Sequence, residues 1–222
     1  SRTVLKQKFI NQLVQGSISE KAEIEKKITD LKLDIGNKNL AIVLFEIDDY
    51  NIINENSSPH EMNKLISSVE NICTEILKGS VKAVSSHIHE GKFVIIFSFE
   101  NIRSDLYINN IVITTINRIK SSIKRYLNIT ACFTYSRVFN DIADIHKYYK
   151  EAEVMLQGKF FKGKDRVIEE SLCGSEYLNL DLSDEKTIIA ALKAQDNDKI
   201  EKCLNTIFTK FCRYPEPLKL QL

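Results

Sequence analysis

The stretch Leu40-Ala41-Ile42-Val43-Leu44-Phe45-Glu46-Ile47 constrains the fold more than any other part of the chain. A short, almost continuously apolar run reads as a strand covered on both faces, which calls for a sheet with helices on its two sides. The segments around it meet that demand. Ser58, Pro59 and Glu61 supply an N-cap, a first helical residue and an N3 acid, and open a helix to about Lys78, with Gly79 as its stop. Residues 81–88 and Phe93–Phe99, joined by His89-Glu90-Gly91-Lys92, read as a hairpin. Ser104 and Asp105 open a second long helix, residues 129–138 a further strand, Asn140 and Asp141 a helix to about Phe161, and Val167-Ile168 a last short strand.

A hairpin nested between crossover helices implies a split β-α-β sheet of the ferredoxin-like α/β (α+β) kind. Helical arms flank it. At the N-terminus Val4, Leu5, Phe9, Ile10, Leu13 and Val14 form one apolar stripe that Gly16 ends, and Ser17 with Glu20 offers a capping box for a second helix. From Ser183 the pattern is again helical, with Ile188, Ile189, Leu192, Ile200, Leu204, Ile207, Phe208 and Phe211 periodic until Pro215 and Pro217. This divides the chain into a helical linker (1–35), an α/β domain (36–172) and a helical pair (173–222). The N-terminal stripe is expected to pair protomers through Leu5, Phe9 and Leu13, giving a homodimer.

A chain of 222 residues with a net charge of +1 is no general polyanion binder. Five cysteines (Cys73, Cys132, Cys173, Cys203 and Cys212), none in a CxxC pair, read as free thiols of a reducing cytoplasm. No apolar run reaches the ~18 residues of a membrane span.

Several motifs carry less than they first suggest. Gly158 to Lys164 fits GxxxxGK, but Asp165 stands where a magnesium-binding hydroxyl is needed, and the segment closes a helix where a P-loop would open one. His87 and His89 alternate on a strand and would share a face, yet no third metal ligand accompanies them. Lys159, Lys162, Lys164 and Arg166 suit a helix C-terminus. Neither GxSxG nor HExxH occurs, which removes nucleophilic and zinc hydrolysis. The acidic segment after the first strand says more. Glu46 and Asp48 alternate at the strand's end and point to one face, where two carboxylates suit Mg²⁺.

Glu46-Ile47-Asp48-Asp49-Tyr50-Asn51-Ile52-Ile53-Asn54-Glu55 resembles the D-I-D-x-F-K-x-I-N-D element of diguanylate cyclases, and His89-Glu90-Gly91-Lys92-Phe93 stands where their GGDEF hairpin would be. Glu151-Ala152-Glu153 and Gly163-Lys164-Asp165-Arg166-Val167 echo two later elements of that family. The resemblance implies a GGDEF, nucleotide-cyclase-like sheet. The family's turn glycines approach the triphosphate and its acidic pair serves metal and hydroxyl activation; here His89 and Glu90 replace the glycines and Lys92 the key carboxylate. Met62 and Asn63 fall where a guanine-reading Asp is expected. The resemblance therefore implies a vestigial cleft around Glu46, Asp48, Asn54, His89, Glu90 and Lys92, without catalysis, metal or cofactor.

Over most of its length the chain also resembles the middle region of YesN-like, AraC-type two-component response regulators. Phe9 to Gly16, then Tyr148-Tyr149-Lys150-Glu151-Ala152, then Gln195-Asp196-Asn197-Asp198 follow that order and spacing. This implies a relay and oligomerisation module between a receiver, expected before Ser1, and a helix-turn-helix, expected after Leu222, which alone would touch DNA. Two other readings stay open: a sensor of a small nucleotide-like ligand in the cleft, and an active cyclase using Glu46 and Asp48 with magnesium.

Overall fold

The computed structural model describes residues 2–79, 81–102, 104–169, 182–194 and 196–213. The run Leu40–Ile47 is β1, buried at every residue but Glu46. Ahead of it lie α1 (Arg2–Val14) and α2 (Lys21–Asp30). Behind it follow α3 (Tyr50–Glu55), α4 (Pro59–Leu77), β2 (Lys82–His89), β3 (Lys92–Ser98), α5 (Asp105–Leu127) and β4 (Ala131–Tyr135). A 3₁₀ turn (Ile142–Asp144), α6 (Ile145–Leu156), α7 (Lys159–Lys162), β5 (Val167–Ile168), α8 (Leu182–Lys193) and α9 (Asn197–Arg213) complete the described residues.

The sheet runs β2-β3-β1-β4-β5, with β3 and β4 antiparallel to β1 and β5 parallel to β4. This is the expected split β-α-β arrangement with one strand added at an edge. Alternation along β1 divides the core in two. Leu40, Ile42 and Leu44 meet α1, α2 and α6, whereas Val43, Phe45 and Ile47 meet α4 and α5. On the second face the register aligns Phe93, Phe45 and Phe133 across three strands. Their rings stack at 5.0 and 4.7 Å between centroids.

The caps explain where the helices begin. Ser58 and Glu61 close the predicted capping box of α4, and Ser104 accepts from the Tyr107 amide at the start of α5. The expected Ser17–Glu20 box does not form. The Ser17 amide instead donates to the Gln12 carbonyl and finishes α1, so Glu20 becomes the N-cap of α2 without a side-chain bond. The helix read from Asn140 to Phe161 is broken at Gln157 and Gly158 into α6 and α7, after a 3₁₀ turn capped by Asp141.

The N-terminal stripe belongs to this core, which corrects its reading as a pairing surface. Phe9 and Leu13 are 3% and 2% exposed and pack with Leu40, Ile42, Tyr148 and Tyr149. Gly16 seats the end of α1: at φ +73° it closes the helix, and a Cβ there would stand 2.8 Å from the His146 ring. His146 Nδ1 donates to the Val14 carbonyl at 2.7 Å. Of the three expected pairing residues only Leu5 is exposed, beside Val4. Four of the six stripe residues are buried in this core, and only Val4 and Leu5 stay exposed.

The helical character from Ser183 onward is found in α8 and α9, where Ala191 is buried and Leu192 exposed. Cys173, Gln195, Pro215, Pro217 and the expected boundary at 173 lie outside the described residues, as do the side chains of Ile188, Ile207, Phe208, Phe211 and Cys212. No helix among the described residues is long and apolar enough to cross a membrane.

Candidate functional site

A cleft of about 280 Å³ opens at the end of β1, between α3, the β2–β3 turn and α7. Its lining is Glu46, Ile47, Asp49, Tyr50, Asn51, Ile52, Glu90 and Lys159. Of the six residues singled out in the sequence, Glu46 and Glu90 line it. Asp48, Asn54, His89 and Lys92 do not.

Glu46 lies on the α6–α7 side of the sheet, as the alternation predicts. Lys159 Nζ stands 2.6 Å from its Oε1, and the two side chains are 32% and 22% exposed. Lys92 is the direct cross-strand partner of Glu46 on β3. Its ammonium turns to Glu153 of α6 at 3.8 Å, and Lys150 meets the same carboxylate at 2.9 Å. Glu46 and Glu153 thus each have a lysine of the same chain beside them.

Asp48 shares the face of Glu46 but is committed to the framework. Its Oδ2 accepts from the Thr130 hydroxyl at 2.7 Å and the Asp165 amide at 2.9 Å, and its Oδ1 from the Cys132 thiol at 3.1 Å. Burial first, and the bond to Asp48 besides, push that thiol up to about 11. Asp165 in turn bridges Lys120 and Lys124 of α5 at 3.1 and 2.8 Å, and the bond from Lys124 holds its carboxyl below the ordinary aspartate range. Lys164 meets Asp49 at 2.6 Å. Asp48 therefore ties the end of β1 to the start of β4 and to the segment before β5.

The hairpin turn is closed by packing. Glu90 takes the left-handed conformation at φ 49°, and the Gly91 carbonyl accepts from the Ile47 amide at 3.0 Å. A Cβ on Gly91 would meet the Tyr50 ring at 2.6 Å, so the glycine makes room for this ring. Burial and then the charge of Glu90 push the Tyr50 hydroxyl above its ordinary value. Gly91→Ala is expected to cost about 1–3 kcal/mol by overpacking. In the Tyr50→Ala background the same change should cost clearly less; equal costs in urea melts of both pairs would refute this contact.

His87 and His89 do not act as a pair. A bulge separates them in the β2–β3 register. The His87 ring turns to the Glu90 carbonyl, while His89 stays exposed beside Glu90. Among the described residues no three of His, Cys, Asp and Glu are placed to hold a metal ion. Of the two carboxylates that the alternative cyclase reading would give to magnesium, Glu46 faces an ammonium and Asp48 accepts from three donors.

Asp49, Tyr50, Asn51, Ile52 and Lys159 are lining residues that the sequence reading did not assign. The first four are the N-cap and first turn of the short helix α3, which carries too few residues for a periodic signal. Lys159 was legible only as one cation of a basic run, because no local pattern ties it to Glu46.

No family model matches the chain, and no curated protein matches it. Solved structures do. A microbial GGDEF domain whose structure concerns its interaction with cyclic di-GMP covers 73% of this chain and 92% of its own, at TM-score 0.50 and 12% identity. The fold is that of a GGDEF domain. The active GGEEF domain of a Vibrio cholerae diguanylate cyclase aligns at 14% identity and TM-score 0.47, covering 67% of this chain and 90% of that one. The GGDEF domain of DgcB from Caulobacter crescentus, in complex with c-di-GMP, aligns at 16% identity and TM-score 0.47, over 71% and 83%.

Proposed function

We propose that this chain is a non-catalytic GGDEF-fold domain that relays signals inside an AraC-type two-component response regulator. The observation that carries the first half is Lys159 on Glu46. An ammonium at 2.6 Å stands where a cyclase would need a divalent cation, and Lys92 adds positive charge across the same strand pair. A metal ion brought to Glu46 would meet the Lys159 ammonium, with the Lys92 charge, paired to Glu153, nearby. The second half rests on the ordered motifs from Phe9 to Gly16 and from Tyr148 to Ala152. Structurally they are one unit, since Phe9, Leu13, Tyr148, Tyr149 and Ala152 share a single buried cluster.

In the longer protein the domain would sit between a receiver and a helix-turn-helix, and the latter would make the DNA contacts. Paired half-sites call for a twofold assembly. On α1 such an assembly has only Val4 and Leu5 to use. Calorimetric titration of residues 1–222 with GTP and Mg²⁺ should give no saturable heat up to about 1 mM ligand, a ceiling near 4 kcal/mol of binding free energy. A saturable, magnesium-dependent isotherm in the micromolar range would overturn the reading in favour of a nucleotide sensor.

A further inference from the structure

We propose that His87 couples the N-terminal helix α1 to the hairpin turn, and through the turn to the rim of the cleft. This deepens the relay reading and rests on it, because it names the contact that a movement of α1 would pull on.

Four segments meet at His87, the last paired residue of β2 before its bulge. Gln7 of α1 donates from Nε2 to the His87 carbonyl at 3.2 Å, and the same nitrogen lies 3.4 Å from His87 Nδ1. The His87 amide donates to Glu70 Oε1 of α4 at 3.1 Å. His87 Nε2 lies 2.6 Å from the Glu90 carbonyl in the turn. That carbonyl can only accept, so Nε2 carries the hydrogen and Nδ1 of the neutral ring is the acceptor. The Gln7 amide nitrogen is the donor this tautomer needs, and its second bond, to the His87 carbonyl, orients the amide that way. The two bonds of the ring thus support each other.

On the far side of His87 the links continue into the cleft. The left-handed Glu90 sets the turn, the Gly91 carbonyl accepts from Ile47, and the Tyr50 ring lies against Gly91. Ile47, Tyr50 and Glu90 all line the cleft. On the near side α1 is held independently of His87, by its buried residues and by Arg2, which donates to the carbonyls of Leu31 and Lys32. Lys6, next to Gln7, faces Glu70, and burial holds its ammonium below the ordinary lysine value. Losing the Gln7 contact therefore leaves α1 in place and removes only its grip on His87. The bulge lies one residue beyond His87, where the ladder steps from the His87–Phe93 pair to the His89–Lys92 pair, and the disrupted ladder there bends the strand next to the grip.

Spatial continuity alone does not establish coupling, so the test is a double-mutant cycle read by amide hydrogen exchange on residues 1–222. Gln7→Leu should speed exchange of the Ile47 amide and of the 90–92 turn by about threefold or more, while the amides of Phe9 and Leu13 keep their rates. In the His87→Phe background the same Gln7→Leu change should add nothing at the turn. Lys8→Leu, on the exposed side of α1, should leave the turn unchanged. The proposal is overturned if Gln7→Leu leaves Ile47 and the turn at their original rates, or if its effect persists undiminished without the imidazole. Either result leaves the non-catalytic reading standing, and cyclase turnover would overturn that reading without touching the coupling.

Discussion

Leu13→Asp is expected to unfold the domain. Leu13 is 2% exposed in the cluster that α1 shares with β1 and α6, so the change removes a fully packed side chain and buries an unpaired carboxylate. The packing loss alone amounts to about 2–5 kcal/mol. The buried charge adds to it, and the sum is comparable to the whole stability of an ordinary domain, about 5–15 kcal/mol. Circular dichroism in urea should show little or no native baseline. Leu5→Ser, about two turns earlier on the same stripe but 56% exposed, should shift stability by no more than about 0.5 kcal/mol. A folded Leu13→Asp protein that had merely become monomeric would restore the pairing role for this stripe.

The second large effect is expected at Asp48. Removing its carboxylate in Asp48→Ala strands three donors, the Thr130 hydroxyl, the Asp165 amide and the Cys132 thiol. With the residue 6% exposed, water does not readily replace the lost acceptor. The cost should be about 3 kcal/mol. Asp48→Asn keeps an acceptor for the Thr130 and Asp165 pair and should cost about 1 kcal/mol. Glu46→Gln, which breaks a partly exposed pair with Lys159, should stay below about 1 kcal/mol. The ordering separates framework from site. If Glu46→Gln proved more destabilising than Asp48→Ala, the roles given to the two acids would be reversed.

The parts of this fold legible in the sequence are those whose cause is local. The continuous apolar run predicts a doubly covered central strand, and Ser58, Pro59 and Glu61 fix the start of α4 through bonds within four residues. The β2–β3 hairpin is found within a residue or two of its expected limits. Ser17 and Glu20 show the limit of such reasoning. Their spacing is that of a capping box, but the Ser17 amide is taken by the preceding helix. The face assigned to Glu46 and Asp48 was also legible, since strand alternation alone determines it. What each carboxylate binds was not, because Lys159, Thr130, Cys132 and the Asp165 amide reach it only once α7 and β4 are in place. The stripe of α1 failed for a related reason. Periodicity says which residues share a face, and the sheet decides whether that face meets its own domain or another molecule.

On the proposed reading Lys159 takes the place of catalytic metal at Glu46, and turnover tests this most directly. Residues 1–222 incubated with GTP or ATP and Mg²⁺ or Mn²⁺ should yield no cyclic dinucleotide and no cyclic mononucleotide by chromatography. Lys92→Glu alone should not create activity, because Lys159 still occupies Glu46 and Tyr50 still covers Gly91. Product above that of a boiled control in the unmutated protein would contradict the account.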